Sequence, residues 1–258
     1  MEEKSSRIIE GKHAIAEALK AGRDIDRLFI VDEKNEKRDA VVSKIVADCK
    51  KAGTPIDYIS KERLQTLSET GKNQGLIAYL SSASYVEVSD ILDRASKRKE
   101  APFIILLDDI EDPHNLGAII RTANVAGAHG VIIPKRRSAG LTATVEKASA
   151  GAVSHTLIAR VSNLTQTIEK LKKDGIWFVC ADMNGETMYD VPLTGPIGLV
   201  VGNEGKGVSR LVREACDYVA SIPMKGEIES LNASVACAVL TYEIVRQRTI
   251  DKTNNDIV

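Results

Sequence analysis

The sequence predicts an α/β fold of two modules, and three observations carry the prediction. Apolar runs of strand length alternate with stretches of helical periodicity along most of the chain. The run Phe103-Ile104-Ile105-Leu106-Leu107 is continuously apolar, as a strand of a parallel sheet covered on both faces would be. A small-residue stretch, Ser81-Ser82-Ala83-Ser84, separates a first series of elements from a second.

The first module spans residues 1–83. Ile15, Ala18 and Leu19 have helical spacing, and Gly22 follows as a stop. Leu28-Phe29-Ile30-Val31 is a short strand run. Val42, Ile45, Val46 and Cys49 form a second helical stripe, closed by Gly53 and Pro55. Ile56-Asp57-Tyr58-Ile59 alternates like a strand, and Ser60 offers an N-cap for a helix containing Leu64 and Leu67. The run from Gly75 to Leu80 closes the unit as a strand. Residues 84–100 read as a connection with one charged helix ending in Lys97-Arg98-Lys99, a solvated face or linker helix.

The second module spans residues 101–250. After Phe103–Leu107, further strands are expected at Gly130 to Ile133, His155 to Val161, Ile176 to Ala181, Ile197 to Val201 and Tyr218 to Ile222, most of them separated by helical patterns. Repeated β-α-β order implies a mainly parallel sheet covered on both faces. A last helix is expected from about Asn232 to Arg248, followed by a polar, frayed tail over 251–258.

Composition bounds the function without deciding it. With 43% hydrophobic and 28% charged residues, the chain has the balance of a soluble globular protein, and no stretch approaches the roughly 20 apolar residues that span a bilayer. The polar start Met1-Glu2-Glu3-Lys4-Ser5-Ser6 lacks a signal-peptide core, so a cytoplasmic location without membrane contact is expected. Cys49, Cys180, Cys216 and Cys237 have no metal-ligand spacing; no metal site is expected, and Cys216 and Cys237 read as buried thiols. The net charge of −1 neither supports nor excludes nucleic acid, because phosphate binding needs a local basic face rather than a basic total.

Parallel sheets bind ligands outside the carboxyl ends of their strands, and three loops at such positions hold the unusual residues. The first runs from Asp108 into Pro113-His114-Asn115-Leu116-Gly117-Ala118-Ile119-Ile120-Arg121-Thr122-Ala123. Asn115 reads either as a helix cap or as part of a site. Arg121, six residues on, reads as a surface cation or as a phosphate grip near a helix start that attracts anions. The second loop is Gly202-Asn203-Glu204-Gly205-Lys206-Gly207. Its glycines permit a flexible turn or a close backbone approach to a ligand, and it matches neither a P-loop nor a dinucleotide fingerprint. The third runs from Pro223-Met224-Lys225-Gly226 through Ser230-Leu231-Asn232-Ala233-Ser234-Val235-Ala236. Ser230 or Asn232 caps the last helix there, or the two orient a hydroxyl substrate.

Together the segments N-L-G-A-I-I-R-T-A, G-N-E-G-K-G and I-P-M-x-G-x-x-x-S-L-N-A-S-V-A resemble, in order and spacing, the three motifs of the SpoU/TrmH family of SPOUT RNA 2′-O-ribose methyltransferases. The resemblance is closest to the RlmB-like subgroup acting on a guanosine of large-subunit (23S) ribosomal RNA. It extends to the first module, where Gly11-Lys12-His13-Ala14-Ile15 and Gln74-Gly75-Leu76 resemble that subgroup's small RNA-binding domain, with Asn73 where many members carry His.

The resemblance implies a carboxyl-terminal domain knotted as a deep trefoil, a topology that periodicity cannot reveal. It implies an S-adenosylmethionine pocket held by backbone near Gly202, Ile222 and Leu231, with Leu199, Met224, Gly205 and Gly207 shaping the walls. It implies a homodimer through that domain, and RNA as substrate, ribosomal RNA or alternatively transfer RNA. The methyl donor arrives activated, so the protein supplies positioning and help with one proton. Arg121 is expected to clamp phosphate and developing charge rather than act as base, since a guanidinium barely deprotonates. Asn115, Glu204, Ser230 and Asn232 are expected to orient the ribose, Arg121 and one another.

Two other classes compete. A nicotinamide dehydrogenase would need a glycine fingerprint after its first strand and an acidic residue about 20 positions later, which the first-strand turns do not supply. A non-catalytic RNA-binding module would keep the fold without the chemistry, but all three motifs retain their polar residues.

Overall fold

The computed structural model describes residues 8–32 and 39–255; the expected polar start Met1–Ser6 and the end of the expected tail, 256–258, lie outside the described residues. The chain divides into two compact units, Met1–Ser84 with Gly140–Ala143, and Tyr85–Ala139 with Thr144–Val258.

The first unit runs β1 (Ile8–Glu10), α1 (Lys12–Lys20), β2 (Ile25–Val31), α2 (Ala40–Ala52), β3 (Ile56–Ile59), α3 (Lys61–Leu67) and β4 (Leu76–Leu80). Local chemistry sets the boundaries. The Asp39 side chain accepts from Val41 N at 3.0 Å to start α2, and Gly53 ends it in the left-handed conformation at φ 74°. Ser60 caps α3 by accepting from Arg63 N at 3.3 Å, as its position predicts. The sheet order is β1-β4-β2-β3, with β2 and β3 parallel and the other pairs antiparallel. Ile15, Leu28, Ile45, Cys49 and Ala78 form its core. The sequence pattern did not reveal β1, which at three residues is too short for alternation to show.

In the second unit come α4 (Val88–Arg98), β5 (Phe103–Leu107), α5 (Pro113–Val125), β6 (Gly130–Pro134), α6 (Ala143–Ala148), β7 (Ile158–Val161), α7 (Leu164–Lys173), β8 (Trp177–Thr187), β9 (Ile197–Val201), α8 (Arg210–Ala215), β10 (Tyr218–Ser221) and α9 (Ala233–Asn255). All six strands are parallel, in the order β10-β8-β9-β5-β6-β7. The fold is therefore α/β with a parallel sheet, as the sequence predicts. Every residue of β5 and β9 is buried, which explains their unbroken apolar runs. One face packs Ile104, Leu106, Ile132, Phe178 and Val200 against Ile168 and Leu171 of α7 and Val212 of α8. The opposite face carries Leu199 and Val201 and is covered by α9, which also packs on α5.

Three elements differ from expectation. The helix expected as a linker, α4, buries Ile91 in the core of the second unit, with Val88 and Leu92 packed against it, and Ala95 is buried as well. Gly130 makes that possible, since a Cβ there would lie 2.6 Å from Ile91 Cδ1. Strand β8 continues to Thr187 because β10 pairs with it twice, at Val179–Cys180 and again at Glu186–Thr187. Helix α9 continues beyond Arg248 to Asn255, through residues expected to fray. The four cysteines are free: Cys49, Cys180 and Cys237 are buried and Cys216 is half-buried.

The strand order itself positions a site. From β5 the chain moves to β6 and β7 on one side, then returns to place β9 on the other side of β5, next to β8. Ligands of open parallel sheets bind at such a reversal, outside the carboxyl ends of the two central strands. Those ends are Leu107 and Val201, which are register partners.

Candidate active site

The first loop leaves β5 with Asp108, whose N–H donates to Val201 O at 2.9 Å and whose carboxylate accepts from Ser209 N at 2.7 Å. Helix α5 then starts at Pro113, a residue without N–H that suits the first helical position. The cap is Asp112, accepting from His114 N at 3.0 Å, so Asn115 is not the cap. It sits inside the first turn and is buried, with its side chain turned toward the second loop.

The second loop closes on itself. Asn203 and Gly207 exchange backbone hydrogen bonds of 3.1 and 2.8 Å, and a Cβ at Gly202 would lie 2.2 Å from the carbonyl carbon of Gly207. Glycine at 202 is thus required by the loop's own backbone. The Asn203 side chain accepts from Gly205 N at 3.0 Å and Lys206 N at 3.2 Å, and donates to Asp109 O at 3.1 Å. Asn203 therefore shapes loop two and ties it to loop one. Sequence reasoning missed Asn203 and Asp108 as positioning residues; the only signal was their adjacency to Glu204 and to the end of β5.

The third loop returns from β10, at the outer edge of the sheet, to the start of α9. There Asn232 is the cap: its Oδ1 accepts from Ser234 N at 3.0 Å and Ser234 Oγ at 2.6 Å. Its Nδ2 donates to Asn115 Oδ1 at 3.1 Å and to Glu204 Oε1 at 2.7 Å. The Asn115 side-chain amide donates to the same Glu204 oxygen. Three of the expected residues, one from each loop, thus form a single hydrogen-bonded cluster.

The other expected residues are placed differently. Arg121 is exposed, with no hydrogen bond or ion pair among the described residues. Six helical residues at about 100° each leave it roughly 120° around α5 from Asn115, so one chain does not bring the two together. Ser230 is exposed, outside the cluster. Leu199 is wholly buried within β9, Gly202 is buried, and Gly205 and Gly207 are exposed. Ile222 is half-buried at the end of β10, while Met224 and Leu231 are 36% and 37% exposed. Among the described residues, 223–231 take part in no backbone–backbone hydrogen bond. A free backbone edge flanked by exposed apolar side chains suits a flat, partly apolar ligand whose rim seeks hydrogen bonds. No set of three or more His, Cys, Asp or Glu among the described residues is grouped to hold a metal ion.

The chain matches known proteins along nearly its whole length. A family model described as the SpoU rRNA methylase family matches residues 102–242, and one described as RNA 2′-O ribose methyltransferase substrate binding matches residues 8–86. A Bacillus subtilis protein named "Putative TrmH family tRNA/rRNA methyltransferase YacO" is 44% identical over 92% of this chain and 94% of its own length. The 23S rRNA (guanosine-2′-O-)-methyltransferase RlmB of Coxiella burnetii is 39% identical over 93% of this chain and 95% of its own. Among solved structures, the SpoU methyltransferase AviRb of Streptomyces viridochromogenes, in complex with AdoMet, aligns with a TM-score of 0.59 at 25% identity, covering 94% of this chain and 90% of that one. A TrmH/SpoU tRNA modifying enzyme of A. aeolicus aligns with a TM-score of 0.55 at 28% identity, covering 63% of this chain and 86% of its own.

Proposed function

The chain belongs to the SpoU family of RNA methyltransferases, which use S-adenosylmethionine, and from that premise we propose that it methylates the ribose 2′-hydroxyl of a guanosine in 23S ribosomal RNA. The observation that carries this reading is the Asn115–Glu204–Asn232 cluster at the carboxyl ends of β5 and β9 and the start of α9. Two amides converge on Glu204 Oε1 and hold the carboxylate in one orientation. Its second oxygen is then free to accept from a ribose hydroxyl, aligning the hydroxyl and drawing off part of its proton's charge. Asn203 and Asp108 act at one remove, by fixing loop two to loop one.

The residues present fit the methyl donor. The open backbone of 223–231, with Met224 and Leu231 beside it and Ile222 and Gly202 at the neighbouring strand ends, would hold its adenosine; the bound group supplies an electrophilic methyl on a sulfonium. The knotted threading that the family fold implies agrees with the path of loop three, which crosses from the outer strand β10 to bring Asn232 to Asn115.

The ribosomal reading is supported by the RlmB relative, which matches over 93% of this chain and 95% of its own length, and by the substrate-binding match at residues 8–86. That match supports a division in which the first module selects RNA and the second performs catalysis. Transfer RNA is the second reading, favoured by the tRNA/rRNA name of the Bacillus relative and by the A. aeolicus structure. An RNA substrate of either kind implies a cytoplasmic enzyme; among the described residues no helix is long and apolar enough to cross a membrane. The test is mapping of 2′-O-methyl sites in total RNA from cells with and without the protein. A single lost guanosine methylation in 23S rRNA is expected. Loss confined to transfer RNA supports the second reading, and an unchanged ribose map with a lost base methylation overturns both.

A further inference from the structure

The carboxyl edge of the second unit's sheet carries a run of positive charge that the cluster does not use. Strand β6 ends at Pro134 and is followed by Lys135, Arg136 and Arg137. Next to it in the sheet, β7 carries Arg160, whose guanidinium stacks 4.6 Å from the centroid of Tyr85 and reaches Lys135 O at 3.5 Å. Neighbouring strands lie about 4.8 Å apart, so these cations start one and two strand spacings from the end of β5, where the Asn115 loop begins. For a chain of net charge −1, four cations along one edge are a local field, and that is the quantity phosphate binding responds to.

Two further observations tie this edge to the cluster. Arg137 holds a left-handed backbone at φ 56°, and its ion-pair partner Asp109, at 3.7 Å, holds φ 59°. L-residues with a side chain disfavour left-handed backbone, so both residues hold this conformation against a penalty. Asp109 is also the residue whose carbonyl accepts from Asn203, the clasp of the Glu204 loop. One residue therefore touches both the basic loop and the loop that aims Glu204. Ala139 N donates to Ile110 O at 2.9 Å and fixes the two loops side by side. Arg136, between Lys135 and Arg137, is exposed and has no partner among the described residues.

We propose that Lys135, Arg136 and Arg137, flanked by Arg160, form the track along which the RNA sugar-phosphate backbone lies as its target ribose enters the Asn115–Glu204–Asn232 cluster. The proposal rests on that cluster being the methylation centre. It assigns to the catalytic unit a sequence-independent grip that sets register, separate from whatever selects the RNA. In the free enzyme the Arg137 guanidinium lies 3.7 Å from the Asp109 carboxylate; a phosphate offers it a bidentate partner when RNA arrives.

Arg136→Gln and Arg137→Gly test it, the second keeping the left-handed backbone while deleting the cation. Binding of a labelled ribosomal RNA fragment is followed by anisotropy across a salt series, with S-adenosylmethionine titration and steady-state methylation of the same RNA in parallel. The expected result is a several-fold loss of RNA affinity per variant, a rise in KM for RNA and unchanged cofactor affinity. The slope of log K against log salt should become shallower by about 0.7 for each phosphate of a single strand that the variant no longer neutralises. RNA affinity and salt slope equal to wild type would overturn the track, as would loss of cofactor binding, which would make the loop a structural part of the centre. Should the wild type bind the RNA through these residues yet methylate no ribose, the track would stand and the proposed reaction would fall.

Discussion

At the scale of single residues, the cluster shows why pairing matters more than presence. Asn115, Glu204 and Asn232 lie far apart in sequence, yet each fills a hydrogen-bonding position the others leave open. Arg121 stands apart as an exposed cation. If it clamps phosphate and transition-state charge, Arg121→Ala should lower single-turnover methylation by on the order of 10²–10³ while leaving cofactor affinity unchanged. Arg121→Lys should recover little, because lysine lacks the planar two-pronged donor geometry. Near wild-type turnover in Arg121→Ala would remove it from the mechanism.

At the scale of elements, the opposite end of the sheet is held by a buried histidine. His129, 1% exposed just before β6, accepts at Nδ1 from Phe103 N at 3.0 Å, so the Nε2–H faces Glu100 Oε2 at 3.1 Å. That arrangement needs the neutral ring, and burial holds its pKa below the usual value of 6.5 although Glu100 pulls the other way. The folded value lies below the unfolded one, so the stabilisation is complete above about pH 6.5 and declines as pH falls through the window beneath it. Protonation would also turn a donor toward the Phe103 N–H. We expect the melting temperature of wild type to fall from pH 8 to pH 5.5 by more than that of His129→Asn, whose amide can accept from Phe103 without titrating. Parallel pH curves for the two proteins would refute this account.

For the whole molecule, helix α9 decides what else the chain must do. Leu240 and Ile244 are buried at 1% and 0% and pack within the unit, while Val235 and Tyr242, seven positions apart on one face, stay 46% and 51% exposed with Val239 half-buried between them. An apolar stripe left open on a long helix marks an interaction face, and we propose a homodimer through it. Sedimentation at micromolar concentration should give twice the mass of 28.0 kDa, and Val235→Asp with Tyr242→Glu should return it to monomer with the far-UV spectrum intact. A wild-type monomer across that range would exclude the dimer.

Local chemistry made much of this legible from the sequence. Apolar runs of strand length marked all six strands of the large sheet, Ser60 and Gly53 marked helix ends, and the three loops were found because parallel sheets place function at carboxyl ends. Each of those signals lies within a few residues of what it predicts. The structure alone decided the rest, for the opposite reason. Whether Ile91 of α4 lay on a linker or on a core depended on Gly130 across the fold. Whether Asn115 capped a helix or met Glu204 and Asn232 depended on Pro113 shifting the cap by three residues and on β9 lying beside β5. The Arg137–Asp109 ion pair joins two loops whose neighbourhood only the strand order sets. Strand order is a property of long-range packing, and no window of sequence contains it.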